Sequence, residues 1–172
     1  DFALEHKALL GNDRDLDGLA LAGVLALPAN SVASLDYGGR EALSEKFVKL
    51  FSLFPSDTVR IALLNKMLAL RDSLPPEPCV AFLNDYLANA QGAAGENGVV
   101  KAAVRTLGEI GDSRSFSVLF AARRQQKWPQ YGKDIDEALA LLADKSLPEV
   151  IAVIREGNVK SDIRPLFDVL IK

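Results

Sequence analysis

An aspartate-rich stretch near the start of the sequence has the residue types and spacing of a calcium loop. Asp13, Asp15 and Asp17 are followed by Gly18, which is how a helix–loop–helix calcium site begins. Such a loop needs a bidentate carboxylate at its twelfth position, which is occupied here by Val24. Because valine cannot coordinate a hard cation, we expect no tight calcium site. The aspartates are better explained as the start of a helix, where short acidic side chains cap backbone amides and complement the helix dipole.

Few other residues have catalytic or metal-binding chemistry. His6 is the only histidine, which leaves no set of histidine, carboxylate and nucleophile and no two-histidine metal site. Cys79 is the only cysteine, and we expect it to be packed and inert. The glycines of QGAAGENG, residues 91–98, have the wrong spacing for a phosphate loop, and we interpret this stretch as a linker. The sequence therefore predicts no catalytic residue, no cofactor and no metal.

One cluster combines basic and aromatic side chains in an otherwise acidic chain. Within ARRQQKWPQYGK, residues 122–133, six residues are predicted to bind a partner: Arg123, Arg124, Lys127, Trp128, Tyr131 and Lys133. Arginine together with large aromatic side chains is the composition enriched at binding hot spots. Pro129 is expected to end a helix just after the tryptophan, which would place the indole beside a loop. The alternative is that the aromatic side chains cover an apolar edge of the fold while the arginines are solvated.

Length and composition indicate an ordinary globular chain. The 172 residues suit one domain or a short array of repeats, with 49% hydrophobic and 25% charged residues. A net charge of −3 disfavours non-specific attraction to nucleic acid or anionic membranes. The longest apolar run, residues 19–28, is far shorter than the ~20 residues of a membrane span. Because the sequence begins with aspartate and not methionine, we expect it to be part of a longer chain.

Helical periodicity of apolar residues runs along almost the whole sequence. Helices are predicted at about 2–10, 15–27, 40–54, 57–71, 78–90, 97–110, 114–127, 134–144, 147–156 and 162–171. Residues 28–39 are predicted to be turn and loop. Most connections are short, which favours antiparallel neighbouring helices.

Two stretches one hundred residues apart are similar to each other. DFALEHKALLGNDRDLDGLALAGVL, from Asp1, aligns without a gap with KAAVRTLGEIGDSRSFSVLFAARRQ, from Lys101. Both contain a helix that ends in glycine, a tight acidic turn and a second amphipathic helix. The second copy has this turn without the three aspartates, so those aspartates belong to a structural turn. Helix pairs repeated at a fixed period indicate a solenoid.

The second copy also predicts how helices pack. Ala102, Ala103 and Gly108 are small enough to let neighbouring helices approach closely. The larger residues predicted to fill the layer between repeats are Val104, Leu107, Ile110, Phe116, Leu119 and Phe120. A single repeat cannot bury its apolar face alone, so stacking of repeats supplies the core.

These features resemble the HEAT repeat family. The resemblance is strongest over residues 99–125, where VVKAAVRTLGEIGDSRSFSVLFAAR has an alanine-rich first helix, a Leu-Gly-x-Ile-Gly-Asp turn and an apolar second helix. It is weaker over 3–27 and 134–157, and weakest over 28–96. The resemblance implies an all-α chain, a right-handed α-solenoid of about four to five helix pairs, or about ten helices, in a single domain over residues 1–172.

The function implied by the resemblance is a non-catalytic scaffold that presents a helical surface to an unidentified protein partner. One alternative is an enzyme-associated role, as in HEAT-like lyases that attach chromophores. Another is nucleic-acid binding, as in HEAT-like DNA glycosylases, which the net charge disfavours. We therefore expect a protein partner, no nucleic acid and no membrane-spanning segment.

Overall fold

The structure, a computed structural model, describes residues 2–6, 8, 14–54, 56–90 and 97–171. These residues form helices and their connections, with no β-strand among them, which confirms the all-α class. The α-helices are α1 (Phe2–Glu5), α2 (Arg14–Leu25), α3 (Ala29–Ala33), α4 (Tyr37–Leu53), α5 (Asp57–Ala69), α6 (Glu77–Asn89), α7 (Asn97–Ile110), α8 (Phe116–Arg124), α9 (Gly132–Ala143), α10 (Leu147–Glu156) and α11 (Arg164–Leu170). A solenoid arrangement of these helices stays a prediction.

The prediction of turn and loop over residues 28–39 is wrong in part. Helix α3 lies in this stretch, and Pro28 occupies its N-cap position in an extended conformation. Helix α4 begins earlier than predicted because the Asp36 carboxylate accepts a hydrogen bond of 2.8 Å from the Gly39 amide. A side-chain cap of this kind stabilises the first turn of a helix, and here it does so despite two glycines in that turn.

The aspartate-rich stretch lies at the start of α2. Asp15, Asp17 and Gly18 are helical, as expected for residues that begin a helix. Asp13 lies outside the described residues, as do residues 91–96 of the glycine-rich stretch.

The chain divides into two compact units, Asp1–Phe82 and Leu83–Lys172. In the first unit, α5 packs against both α2 and α4. Its interior is formed by large side chains of these helices, among them Phe47, Phe51, Leu63, Leu64 and Met67. The rings of Phe51 and Phe82 meet edge to face with centroids 5.2 Å apart, a favoured geometry for aromatic pairs.

In the second unit, α9 packs against α7, α8 and α11. The contact between α7 and α9 is close, since a Cβ atom on Gly108 would lie 2.8 Å from the Cα of Ala138. This confirms Gly108 as a point of close helix approach. The predicted core residues Val104, Leu107, Phe116, Leu119 and Phe120 are all buried, and Ile110 is partly buried.

The turn after α7 follows the predicted design. Gly111 has a φ of +72°, the left-handed conformation that glycine adopts without steric cost. Asp112 then caps a short 3₁₀ turn, Ser113–Ser115, by accepting a 2.9 Å hydrogen bond from the Arg114 amide. The Arg114 guanidinium donates to the same carboxylate, and this hydrogen bond is the main cause of the lowered pKa of Asp112.

Asp112→Asn should lower the free energy of unfolding at pH 7 by less than about 1 kcal/mol. The reason is that ion pairs near the surface, such as Asp112 with Arg114, contribute little to stability. Asparagine preserves the cap but removes the charge. Since the pKa of Asp112 is lowered in the folded state, its contribution is present above the unfolded pKa of about 3.9 and is lost as the pH falls through the folded value. The difference in melting temperature between wild type and variant should therefore shrink below about pH 4. Asp72→Asn, at an exposed carboxylate, is the matched control for loss of a surface charge and should leave the melting temperature at pH 7 almost unchanged.

Candidate functional site

Trp128 lies in the interior of the second unit. Its side chain is only 2% exposed, so it is among the largest fully buried side chains of the described residues. The Lys127 ammonium lies over the indole, 5.0 Å from the ring centroid, a distance at which a cation is attracted to the ring. The indole is therefore a packing group of this unit.

Lys127 connects the end of α8 to the end of α6. Its ammonium donates hydrogen bonds of 2.9 and 2.7 Å to the carbonyl oxygens of Leu87 and Ala88. These carbonyls belong to the last turn of α6, where a helix leaves acceptors without intrahelical donors and where a cation complements the dipole. Lys127 thus stabilises a helix end.

The two arginines are held by buried carboxylates. The Arg123 Nε donates to Asp136 Oδ1 at 2.7 Å, and Asp136 is 6% exposed. The Arg124 Nη1 donates to Asp162 Oδ1 at 2.8 Å. Asp162 is also buried and accepts a second hydrogen bond, from the Asn158 amide, at 2.7 Å. Both pairs join segments that are separate in sequence, so the arginines contribute to packing of the unit.

Tyr131 and Lys133 lie where α9 begins. Tyr131 is half-buried and ends a 3₁₀ turn, Pro129–Tyr131. The Lys133 ammonium is exposed and lies 3.7 Å from the Glu137 carboxylate, one helical turn away. Exposed pairs of this spacing hold a side chain only weakly, so the Lys133 ammonium can reach other acceptors.

The six predicted residues do not line a single cavity. Arg123, Trp128 and Lys133 line one cavity of about 390 Å³, which we call the indole cavity. Arg124 lines a second cavity, of about 410 Å³, between α8 and α10. Lys127 lines a third, of about 300 Å³, with the end of α6.

The indole cavity contains a strained backbone position. Gln126 lines the cavity and has a φ of +49°, the only positive φ at a non-glycine position in the described residues. It allows the Lys127 amide to bond the Ala122 carbonyl at 3.0 Å and so to end α8, an arrangement in which glycine is usual.

Gln126→Gly should raise the free energy of unfolding by about 0.5–1 kcal/mol, because it removes a left-handed strain of about 1–2 kcal/mol at some cost in chain entropy. Gln125→Gly is the matched control, since Gln125 is also exposed but has right-handed dihedrals. Gln125→Gly should lower the free energy of unfolding by about 0.5–1 kcal/mol. Chemical denaturation of the three proteins measures both effects, and a loss of stability in Gln126→Gly would contradict the assigned strain.

A second surface feature is an apolar stripe on α10. Leu147, Ile151 and Ile154 are 57%, 44% and 43% exposed, and their spacing of four and three residues places them on one face of the helix. Val150 on the same helix is buried. Among the described residues of its unit, the apolar face of α10 is therefore covered on one side and exposed on the other.

The sequence prediction missed three of these features. The pairing of Asp136 could have been predicted from the sequence. Asp136 lies one turn before the buried Leu139, and an acidic residue on an apolar stripe needs a basic partner. The exposed stripe on α10 could also have been predicted, since LPEVIAVIRE has more apolar residues than one packing face requires. The left-handed conformation of Gln126 could not have been predicted, because no glycine marks the end of α8.

The remaining candidates for chemistry have structural environments. Cys79 is buried, and burial raises the pKa of its thiol to about 12, so it is a poor nucleophile near neutral pH. His6 is exposed. Across the part of the chain that the structure describes, no group of three or more acidic, histidine or cysteine side chains could hold a metal ion. Within the same residues, no helix combines the length and apolar character needed to cross a bilayer.

Comparison of the chain with family models, curated proteins and solved structures finds no significant match. The resemblance to HEAT repeats therefore rests on the residues of this chain alone.

Proposed function

We propose that the chain is a non-catalytic protein-binding module built from HEAT-like helix pairs. The observation that carries this proposal is the exposed stripe on α10, formed by Leu147, Ile151 and Ile154. Large apolar side chains that are contiguous on a surface are typical of protein interaction sites. A partner that covered them would remove this apolar surface from water, which is the main favourable term in protein association.

Helix α11 supports the same proposal. It buries Leu166 and Val169 but exposes Phe167 and Leu170, and the C-cap residue Ile171 is also exposed. These three residues are spaced by three and one, so they share one side of the helix. Two helices of the second unit thus each pack one side and leave apolar groups on another.

Recurring lysine contacts support the helix-pair repeat. The Lys66 ammonium donates to the carbonyls of Leu25 and Leu27, 41 and 39 residues earlier, at the end of α2. Lys127 does the same at the end of α6, across 40 and 39 residues. Separations near 40 residues match the length of one two-helix repeat, so each lysine contacts a helix end that lies about one repeat earlier in the chain.

The engagement of the basic residues favours a protein partner over nucleic acid. Arg123, Arg124 and Lys127 each bond an acceptor inside the second unit. Phosphate binding needs cations whose donors are available to the backbone of the nucleic acid. No observation on the described residues favours the enzyme-associated alternative.

The stripe is tested by replacing its two isoleucines. Ile151→Ser with Ile154→Ser should leave the melting temperature within a few degrees of wild type, because both side chains are exposed. From an extract of the source cell, the double variant should capture at least about tenfold less of the partner that the wild-type chain captures. A loss of this size is expected when central apolar contacts are removed. Arg155→Ser, at an exposed residue of the same helix, is the matched control and should capture normally.

Light scattering of the purified chain completes the test. A dimer that the double variant dissociates would identify a second copy of the chain as the partner. Equal capture by wild type and double variant, with no change in oligomeric state, would show that the stripe is not a binding surface.

A further inference from the structure

We propose that the indole cavity binds an organic carboxylate. The cavity is formed by the end of α8, the connection over residues 125–131 and the start of α9. Its volume of about 390 Å³ lies in the range of small-molecule sites. The proposal is independent of the stripe on α10, which lies on a different helix and does not line this cavity.

The first observation is a hydrogen-bond donor without an acceptor. Trp128 lines the cavity, and its indole Nε1 is buried with no hydrogen-bond partner among the described residues. A buried donor left unpaired costs about 1–3 kcal/mol, and such groups in native proteins call for an explanation. Indole N–H is a donor only, so the group that satisfies it must be an acceptor.

The second observation is an excess of cationic donors at the same cavity. Arg123 uses its Nε and Nη2 atoms on Asp136, at 2.7 and 3.4 Å, while its Nη1 has no partner among the described residues. Lys133 also lines the cavity, and within the described residues its ammonium pairs with the exposed Glu137. Within the lining, two cations lie near one carboxylate, while Glu137, the carboxylate that pairs with Lys133, lies outside it. Because exposed pairs of this kind are weak, an anion in the cavity can compete for the Lys133 ammonium.

The lining selects a monoanion with an apolar body. Ala122, Pro129 and Ile135 supply apolar walls beside the indole. The Asp136 carboxylate lies in the same lining, and its charge opposes a dianion such as phosphate more strongly than it opposes a monoanion. An aromatic or aliphatic carboxylate satisfies both requirements, since its body fills the apolar part while its oxygens accept from the indole, the guanidinium and the ammonium.

The third observation is the strain at Gln126 in the cavity wall. Non-glycine residues held in the left-handed region cluster at ligand-binding positions, where the surroundings over-determine the backbone. Here the left-handed conformation of Gln126 forms the turn that precedes Trp128 in the cavity wall.

Trp128 is the only tryptophan of the chain, so its fluorescence reports on this cavity directly. Titration with benzoate should change the emission saturably. Benzamide, which has the same shape without the charge, and inorganic phosphate should each bind at least about tenfold more weakly, as expected when charge-assisted hydrogen bonds are lost. Saturable binding of benzamide or of phosphate with the same affinity as benzoate would overturn the proposal.

Two peptide arms distinguish the source of the carboxylate. One is a short peptide that ends in phenylalanine with a free carboxylate, and the other is its C-terminal amide. Binding of the free-acid peptide but not of benzoate supports a carboxylate supplied by a partner chain. Binding of benzoate supports a free small molecule, and failure of both benzoate and the free-acid peptide contradicts the site.

Variants locate the site without disturbing the fold. Lys133→Met should weaken benzoate binding at least about fivefold, equivalent to about 1 kcal/mol, while Lys160→Met, at an exposed lysine that does not line the cavity, should not. Arg123 is unsuitable, because its removal would take a cationic hydrogen-bond partner from the buried Asp136 and so destabilise the unit. Trp128→Phe retains an aromatic ring but removes the donor, and calorimetry should show weaker binding. Unchanged binding in both Lys133→Met and Trp128→Phe would overturn the assignment.

Discussion

Trp128→Ala is expected to lower the free energy of unfolding by about 3–5 kcal/mol, the usual range for truncation of a buried aromatic side chain. The indole is 2% exposed, and the Lys127 ammonium lies over it. The substitution removes this packing and leaves Lys127 without its aromatic contact. Urea denaturation followed by circular dichroism measures the loss.

Tyr37→Ala is the control for this prediction, because Tyr37 is a large aromatic residue with an exposed side chain. It should change stability by no more than about 0.5 kcal/mol. The emission maximum of wild-type Trp128 should also be that of a buried indole. Equal stability losses in the two variants, or emission typical of a solvated indole, would place Trp128 on the surface.

Leu107→Ala is expected to cost about 2–5 kcal/mol, as for other fully buried leucines. Leu107 has no exposed surface and lies on α7, next to Gly108 at the close contact with α9. Closely packed helices cannot move far enough to fill the space left by the deleted side chain. Most of the cavity that Leu107→Ala creates should therefore remain. Denaturant melts give the difference.

Leu141→Ala makes the same chemical change on α9, at a side chain that is 58% exposed. We expect it to change stability by no more than about 0.5 kcal/mol. If Leu141→Ala cost as much as Leu107→Ala, the assignment of buried and exposed faces to α7 and α9 would be wrong.

Much of the fold follows from local sequence signals. The bounds of α7 and α10 match the predicted ones because apolar periodicity is regular in both, and Gly111 marks the end of α7. Helix α8 shows where such signals fail. It was predicted to reach Lys127 but ends at Arg124, because Gln126 adopts a left-handed conformation that its residue type does not signal.

The candidate site was less predictable. The basic and aromatic composition around Trp128 is visible in the sequence, but burial of the indole depends on contacts with other elements. The carboxylates that hold Arg123 and Arg124 lie 13 and 38 residues away in the sequence, so neighbouring residues do not reveal them. Whether the six predicted residues bind a partner stays a prediction, and the exposed stripe on α10 is a finding of the structure.

The location of a bound partner is the most direct test of the proposed function. Hydrogen–deuterium exchange of the chain, alone and with the captured partner, should show slower exchange in peptides that cover α10, residues 147–156. Partner contact protects amides by excluding water and suppressing local opening. Protection confined to other segments, with unchanged exchange across α10, would contradict a protein-binding surface on that helix.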